Sequence, residues 1–193
     1  ARCSITDAGL EHLKKLENVE ELDVNGCDRI SSKALGEILG TLVKLTSLDV
    51  SYCPRILSSS WQGKVNALKS LELCYSGVRD SHLSNLRSLP ILEELNLDSC
   101  VVGDSGIAHL VDNNVMPNLT TLDLADTNIS DVAMAKIAQF KEMRHLSLFY
   151  CNISNRGTLS LINHMKFALV SIAIMHHCST DTLNLQVCDT LHL

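Results

Sequence analysis

The sequence is short of aromatic residues, which make up 4% of 193 positions with a single Trp. A chain with so few rings must build its core from aliphatic side chains, and Leu dominates throughout. Positive charge is scarce too: 16 Lys and Arg against 22 Asp and Glu leave a net charge of −6. That balance supplies neither the basic face that nucleic acid requires nor one suited to an anionic membrane surface. A basic protein surface is the better match as partner. No apolar run reaches the ~18 residues of a spanning helix. The longest, 167–175, is interrupted by Ser171. No signal peptide opens the chain. Its first residue is Ala1 and it starts inside a repeat, so it reads as a piece of a longer protein. With 46% apolar and 20% charged residues, it is a folding sequence and not a disordered tail.

What is present is periodicity. An apolar residue, two others, Leu, one other, Leu or Val, two others and often Cys recur along the chain. The copies are Val19, Leu22, Val24, Cys27; Leu45, Leu48, Val50, Cys53; Leu68, Leu71, Leu73, Ser76; and Leu92, Leu95, Leu97, Cys100. Then follow Leu119, Leu122, Leu124, Thr127; Met143, Leu146, Leu148, Cys151; and a weaker Leu169, Ile172, Ile174, His177. First positions lie 26, 23, 24, 27, 24 and 26 residues apart. Each copy has a second half with a polar pair and an apolar spacing of three, as in Ile5-Thr6-Asp7 before Leu10 and Leu13, or Ile129-Ser130-Asp131 before Met134 and Ile137. Ser, Thr or Asp there suits the start of a short helix with one buried face. Each Leu-x-Leu predicts a short strand with both Leu pointing inward. The helix then returns the chain to a parallel neighbour about 4.8 Å away. No single unit can bury its own apolar face, so the units must stack.

The pattern resembles the leucine-rich-repeat superfamily, whose period is about 20–29 residues. The stretch from Leu92 to Leu110 (LEELNLDSCVVGDSGIAHL) is similar to the cysteine-containing subtype found in F-box proteins. The resemblance implies an α/β fold: a right-handed leucine-rich-repeat solenoid, a curved horseshoe with parallel strands on its concave face and short helices on its convex face. Residues 1–177 form the array (a half repeat at 1–16, then about six to seven repeats), and 178–193 an irregular tail or degenerate cap. The resemblance implies a protein-protein interaction module. Narrower alternatives are the substrate-recognition arm of an F-box-type ubiquitin-ligase receptor and a regulatory or inhibitory subunit of an enzyme.

Chemistry-bearing residues give little sign of catalysis. No nucleophile, base and orienting group assemble from the sequence, so a non-enzymatic module without cofactor or metal is expected. Cys3, Cys27, Cys53, Cys100 and Cys151 share one repeat position. Its replacement by Ser76 and Thr127 favours a column of reduced, buried thiols over a disulfide framework, and hence an intracellular setting. Cys74 is expected to point outward into solvent. The His176-His177-Cys178 cluster lacks a second ligand pair at metal spacing. Sequons at Asn118, Asn128 and Asn152 are few enough to arise by chance.

Function in this architecture sits on outward strand positions. Between the inward residues stand Asp23, Asp49, Glu72, Asn96, Asp123 and Ser147, with Glu21 and Glu94 just before the second Leu. Like charges about 5 Å apart repel, which a chain selected for stability alone would avoid. Tyr52, Tyr75 and Tyr150 recur just before the Cys position, with Phe149 beside the last. Scarce aromatics on an edge suit recognition. The candidate partner-binding set is therefore Asp23, Asp49, Glu72, Glu94, Asp123, Tyr52, Tyr75, Phe149 and Tyr150. A simpler reading is that Asp at this place is an ordinary solvated repeat residue.

Overall fold

The computed structural model describes residues 3–55, 65–84, 86, 88–165 and 169–175. Its strands are β1 (Glu21–Asp23), β2 (Ser47–Asp49), β3 (Ser70–Glu72), β4 (Glu94–Asn96), β5 (Thr121–Asp123), β6 (His145–Phe149) and β7 (Ser171–Met175). Helices α1 (Asp7–Glu11), α2 (Ser32–Leu39), α3 (Asp80–Leu83), α4 (Asp104–Asp112), α5 (Asp131–Ile137) and α6 (Asn155–His164) lie between or before them, with a 3-10 turn at His12–Lys15. The seven strands form one open, wholly parallel sheet in chain order. Short helices are the economical crossover for neighbouring parallel strands, which a tight hairpin cannot join.

The register follows the repeat. Leu22, Leu48, Leu71, Leu95, Leu122, Leu146 and Ile172 pair side by side across all seven strands. Leu48, Leu71, Leu95 and Leu122 are at most 1% exposed. The second inward row, Val24 through Leu148, is buried against them. From the helix side come Leu35, Ile38, Leu83, Ile107, Leu110, Met134, Ile137 and Leu161, closing one continuous aliphatic core. Each fully buried Leu contributes about 1.5–3 kcal/mol. Because each coil covers its neighbour, that gain belongs to the stack and not to any single repeat.

Two hydrogen-bonded columns tie successive coils together. On the helix side, Asp7, Asp80, Asp104 and Asp131 each open a helix. Their carboxylates do not cap those helices. They accept instead from the next coil: Asp7 from the Ser31 amide at 2.7 Å, Asp80 from the Gly103 amide at 2.7 Å, Asp104 from the Ser130 amide at 2.9 Å and hydroxyl at 2.6 Å, and Asp131 from the Ser154 amide at 2.7 Å and hydroxyl at 2.5 Å. Ser31, Ser130 and Ser154 are the residues that cap the helices. Of the Ser, Thr or Asp expected to start these helices, Ser is the cap and Asp the bridge between coils.

The second column is the Cys position. Cys53, Cys100 and Cys151 donate their thiol hydrogens to Val24, Leu73 and Leu124 carbonyls in the preceding coil, at 3.1, 3.1 and 3.0 Å. Ser76 and Thr127 stand in as hydroxyl donors to Leu73 and Leu124 within their own coils. A small donor at the end of a strand is what the place requires. Cys27, Cys53, Cys100 and Cys151 are buried, which raises each thiol above its ordinary value, and no described cysteine forms a disulfide. Cys3, on the outermost described coil, is exposed, so it departs from the buried column expected of it.

The candidate interaction face

The strand face begins with the turn that ends each strand. The Cys27 amide donates to the Val24 carbonyl at 3.1 Å, Ser76 to Leu73 at 3.1 Å and Cys100 to Leu97 at 3.1 Å, closing four-residue turns. The third residue of each turn has positive φ: Gly26 at 68°, Tyr52 at 57°, Tyr75 at 53°, Ser99 at 55°, Asp126 at 50° and Tyr150 at 57°. A closing bond with positive φ at the third place is the signature of a type II turn, which favours Gly or Asn there. Gly26, Tyr52, Tyr75, Ser99 and Asp126 are also fixed by an amide donated to the next coil, as Tyr52 to the Cys74 carbonyl at 2.8 Å and Tyr75 to the Asp98 carbonyl at 3.0 Å. Holding a residue other than Gly in this region costs about 1 kcal/mol or more.

Tyr52, Tyr75 and Tyr150 thus occupy strained positions, and their rings remain 45%, 52% and 50% exposed. Tyr52 and Tyr75 stack, with centroids 5.1 Å apart and planes within 5°. Phe149 lies half-buried at the end of β6 beside Tyr150.

The acid column is in register as expected: Asp23 pairs with Asp49, Asp49 with Glu72, Glu72 with Asn96, and Asn96 with Asp123. Glu94 stands exposed two residues before Asn96, between Ser70 and Thr121. Most members of the column also have a local duty. Asp23, Asp49, Asn96 and Asp123 accept through Oδ1 from the backbone amide two residues on, at 2.8, 2.8, 2.9 and 2.9 Å. These are Asx turns, which any Asp or Asn makes, and they account for the recurrence without invoking a partner. The second Asp49 oxygen accepts from Asn25 Nδ2 at 3.3 Å. Glu72 stands where the other strands carry this turn-forming side chain. Burial holds its carboxyl above its ordinary value; the Asn96 amide opposes the rise, and the charges of Asp49, Glu94 and Asp123 add to it.

Two further acids reach this face that the sequence reading did not single out, Asp98 and Asp126. Ser99 donates to Asp98 at 2.8 Å and to Asp126 at 3.4 Å. Cys74 is half-buried and not solvated; its thiol donates to Asp98 Oδ2 at 3.5 Å, and burial followed by the Asp98 charge pushes it up to about 12. It is therefore a poor nucleophile at neutral pH. The one sequence signal for them is position: Asp98 and Asp126 follow the second inward Leu by one and two residues, the places that Phe149 and Tyr150 hold after Leu148.

Among the described residues, the ion pairs (Lys14 with Glu11 and Glu37, Lys136 with Asp112) lie on the helix side. No described group of three or more His, Cys, Asp or Glu is placed to hold a metal, and no described helix is long and apolar enough to cross a membrane. The His176-His177-Cys178 cluster and the segment 178–193 lie outside the described residues. Two sequons have a structural origin. Ser130 and Ser154, the hydroxyl residues after Asn128 and Asn152, cap α5 and α6 and bridge to Asp104 and Asp131.

The sequence model of the Leucine Rich repeat family matches residues 88–111 and 115–138, the coils that carry β4 with α4 and β5 with α5. Those two coils match the repeat by sequence, and the other strands share their register. No curated protein matches it closely enough to count as a relative. The crystal structure of an internalin (inlF) from Listeria monocytogenes is similar in fold, with a TM-score of 0.56 at 18% identity over 81% of this chain and 50% of that one. This chain thus spans about half the length of that internalin. An internalin C2 (inlC2) from the same organism matches with a TM-score of 0.56 at 22% identity, over 89% of this chain and 84% of that one. At such identities the likeness is one of fold.

Proposed function

We propose that this chain is a protein-interaction module whose acidic, Tyr-flanked strand face docks a protein partner with a basic surface. The observation that carries the reading is the placement of Tyr52, Tyr75 and Tyr150 at positive φ with rings half exposed. Gly or Asn would be easier there, so the rings are kept for what they touch. Asp23, Asp49, Glu72, Glu94 and Asp123 supply the opposing charge, and Phe149 extends the aromatic edge. The leucine-rich-repeat match supports binding as the general role. Charge across such a face sets encounter rate and specificity more than raw affinity.

Size bounds the interface. Seven strands about 4.8 Å apart, each about 13 Å long, give roughly 400 Å² of sheet, against about 800 Å² per partner in a standard interface. The turns bearing Tyr52, Tyr75, Asp126 and Tyr150 must therefore take part, along with loops beside them.

The test is binding of a peptide rich in Lys and Arg, measured by calorimetry at low and physiological salt. Asp49→Lys with Glu72→Lys is expected to weaken it about tenfold or more, while Glu142→Lys, off this face, changes it little. Unchanged affinity after the double reversal overturns the reading. Against a natural partner, capture of a ligase adaptor or loss of an enzyme's activity separates the two narrower forms.

A further inference from the structure

The aromatic column is interrupted. Along the stack its members are Gly26, Tyr52, Tyr75, Ser99, Asp126 and Tyr150, all at positive φ. The 5.1 Å between the Tyr52 and Tyr75 rings is close to one strand spacing, so the pair is stacked along the solenoid axis. The far face of Tyr75 then looks toward the coil of Ser99. A ring there would continue the stack, and the small hydroxymethyl leaves the place open. Around this gap stand Asp98, bonded to Ser99 and Cys74, and Asp126 on the next coil, whose Oδ2 lies 3.4 Å from the Ser99 hydroxyl.

We infer that the gap beside Tyr75 is an arginine slot, in which a partner's guanidinium stacks on the open Tyr75 face and donates to Asp98 and Asp126. This rests on the reading of the strand face as the docking surface and sharpens it from basic partner to arginine-bearing partner. Three features point to Arg over Lys. A flat guanidinium is thin enough to take the next place in a stack one coil apart. It is attracted to a Tyr face within about 6 Å of the ring centroid. Its forked donors reach carboxylates on two coils at once, whereas a Lys ammonium is a compact, strongly hydrated point charge. Among the described residues no cation lies within ion-pair distance of Asp98 or Asp126.

The experiment titrates the chain with two peptides of equal charge and spacing, four Arg or four Lys separated by Gly-Ser, and follows backbone amides by NMR. The Arg peptide is expected to bind about three- to fivefold tighter and to shift the Tyr75, Ser99 and Asp126 amides most. Tyr75→Asn, which suits the turn, should abolish the preference, so that the two peptides bind that variant equally. Tyr75→Phe should keep the preference, and Ser99→Tyr, which fills the gap, should remove it. A dispersed spectrum certifies each variant as folded. Equal affinity for both peptides, or a preference that survives Tyr75→Asn, overturns the slot; if both peptides still weaken on reversal of Asp49 and Glu72, the docking face itself stands. If neither peptide shifts any amide of the strand face, slot and face fall together.

Discussion

Two columns of acids run the length of this solenoid, one on each side, and they do opposite things. On the helix side Asp7, Asp80, Asp104 and Asp131 point into the next coil and have their oxygens met by its amides and Ser hydroxyls. On the strand face Asp23, Asp49 and Asp123 accept from amides of their own turns, and Glu72 stands among charges of its own sign. The same residue type therefore holds the stack together in one place and charges a surface in the other. What separates them is where the donors lie, in the neighbouring coil or in the residue's own turn.

Breaking the helix-side column should have the largest effect. A Cβ at Gly157 would collide with the Asp131 carboxylate and stand 3.2 Å from the Asp131 Cα. Gly157→Ala is expected to destabilise by about 2–3 kcal/mol in urea unfolding, because backbone cannot yield as a side chain does. A cost below about 0.5 kcal/mol would show that the coils are not held this closely.

The two kinds of acid should respond oppositely to pH. The Ser154 hydroxyl and amide hold the Asp131 carboxyl below its ordinary value. A lowered carboxyl adds stability that is present above its unfolded-state value and lost as pH falls through its folded value. Asp131→Asn should therefore lower stability at neutral pH by less than about 1 kcal/mol, because solvent screens this exposed group, and should flatten the acid limb of the stability curve. Glu72 is shifted upward, so its ionisation works against folding, and stability falls as pH rises from its unfolded-state value through its folded one. Glu72→Gln should leave the chain equally stable or up to about 0.5 kcal/mol more stable at neutral pH. Loss of stability in that variant would mean that the bond with Asn96 outweighs the cost of burying the charge.

Smaller still is the effect expected at the Cys column. Cys100→Ser retains a donor for the Leu73 carbonyl, as Ser76 does in its own coil, and should change stability by less than about 1 kcal/mol. With a thiol reagent at pH 8, followed by mass spectrometry, exposed Cys3 should be labelled in the folded chain, and Cys27, Cys53, Cys100 and Cys151 only on unfolding.

Much of the stack was legible because its signal is redundant. The Leu48, Leu71, Leu95 and Leu122 row follows from spacing alone, since a period-two strand sends both residues of each Leu-x-Leu to one side. The acid and Tyr columns were legible as columns for the same reason. Their meanings were not. The Asx turns at Asp23, Asp49 and Asp123 give a backbone reason for acids that spacing alone reads as a binding signal, and the positive φ of Tyr52, Tyr75 and Tyr150 strengthens the case for rings that composition only suggested. Asp98 and Cys74 were separated by 24 positions in the sequence and meet only when coils lie side by side.

By itself the sequence determined the repeat, the inward aliphatic rows and the parallel order of strands, because these depend on side-chain period within each coil. The tertiary structure decided which carboxylates bridge coils and which stay on the surface, which thiols are sealed, and that Tyr52 stacks on Tyr75. Those depend on the atoms of a neighbouring coil about two dozen residues away, where hydrogen-bond geometry and the sign of φ, and not residue type, fix the outcome.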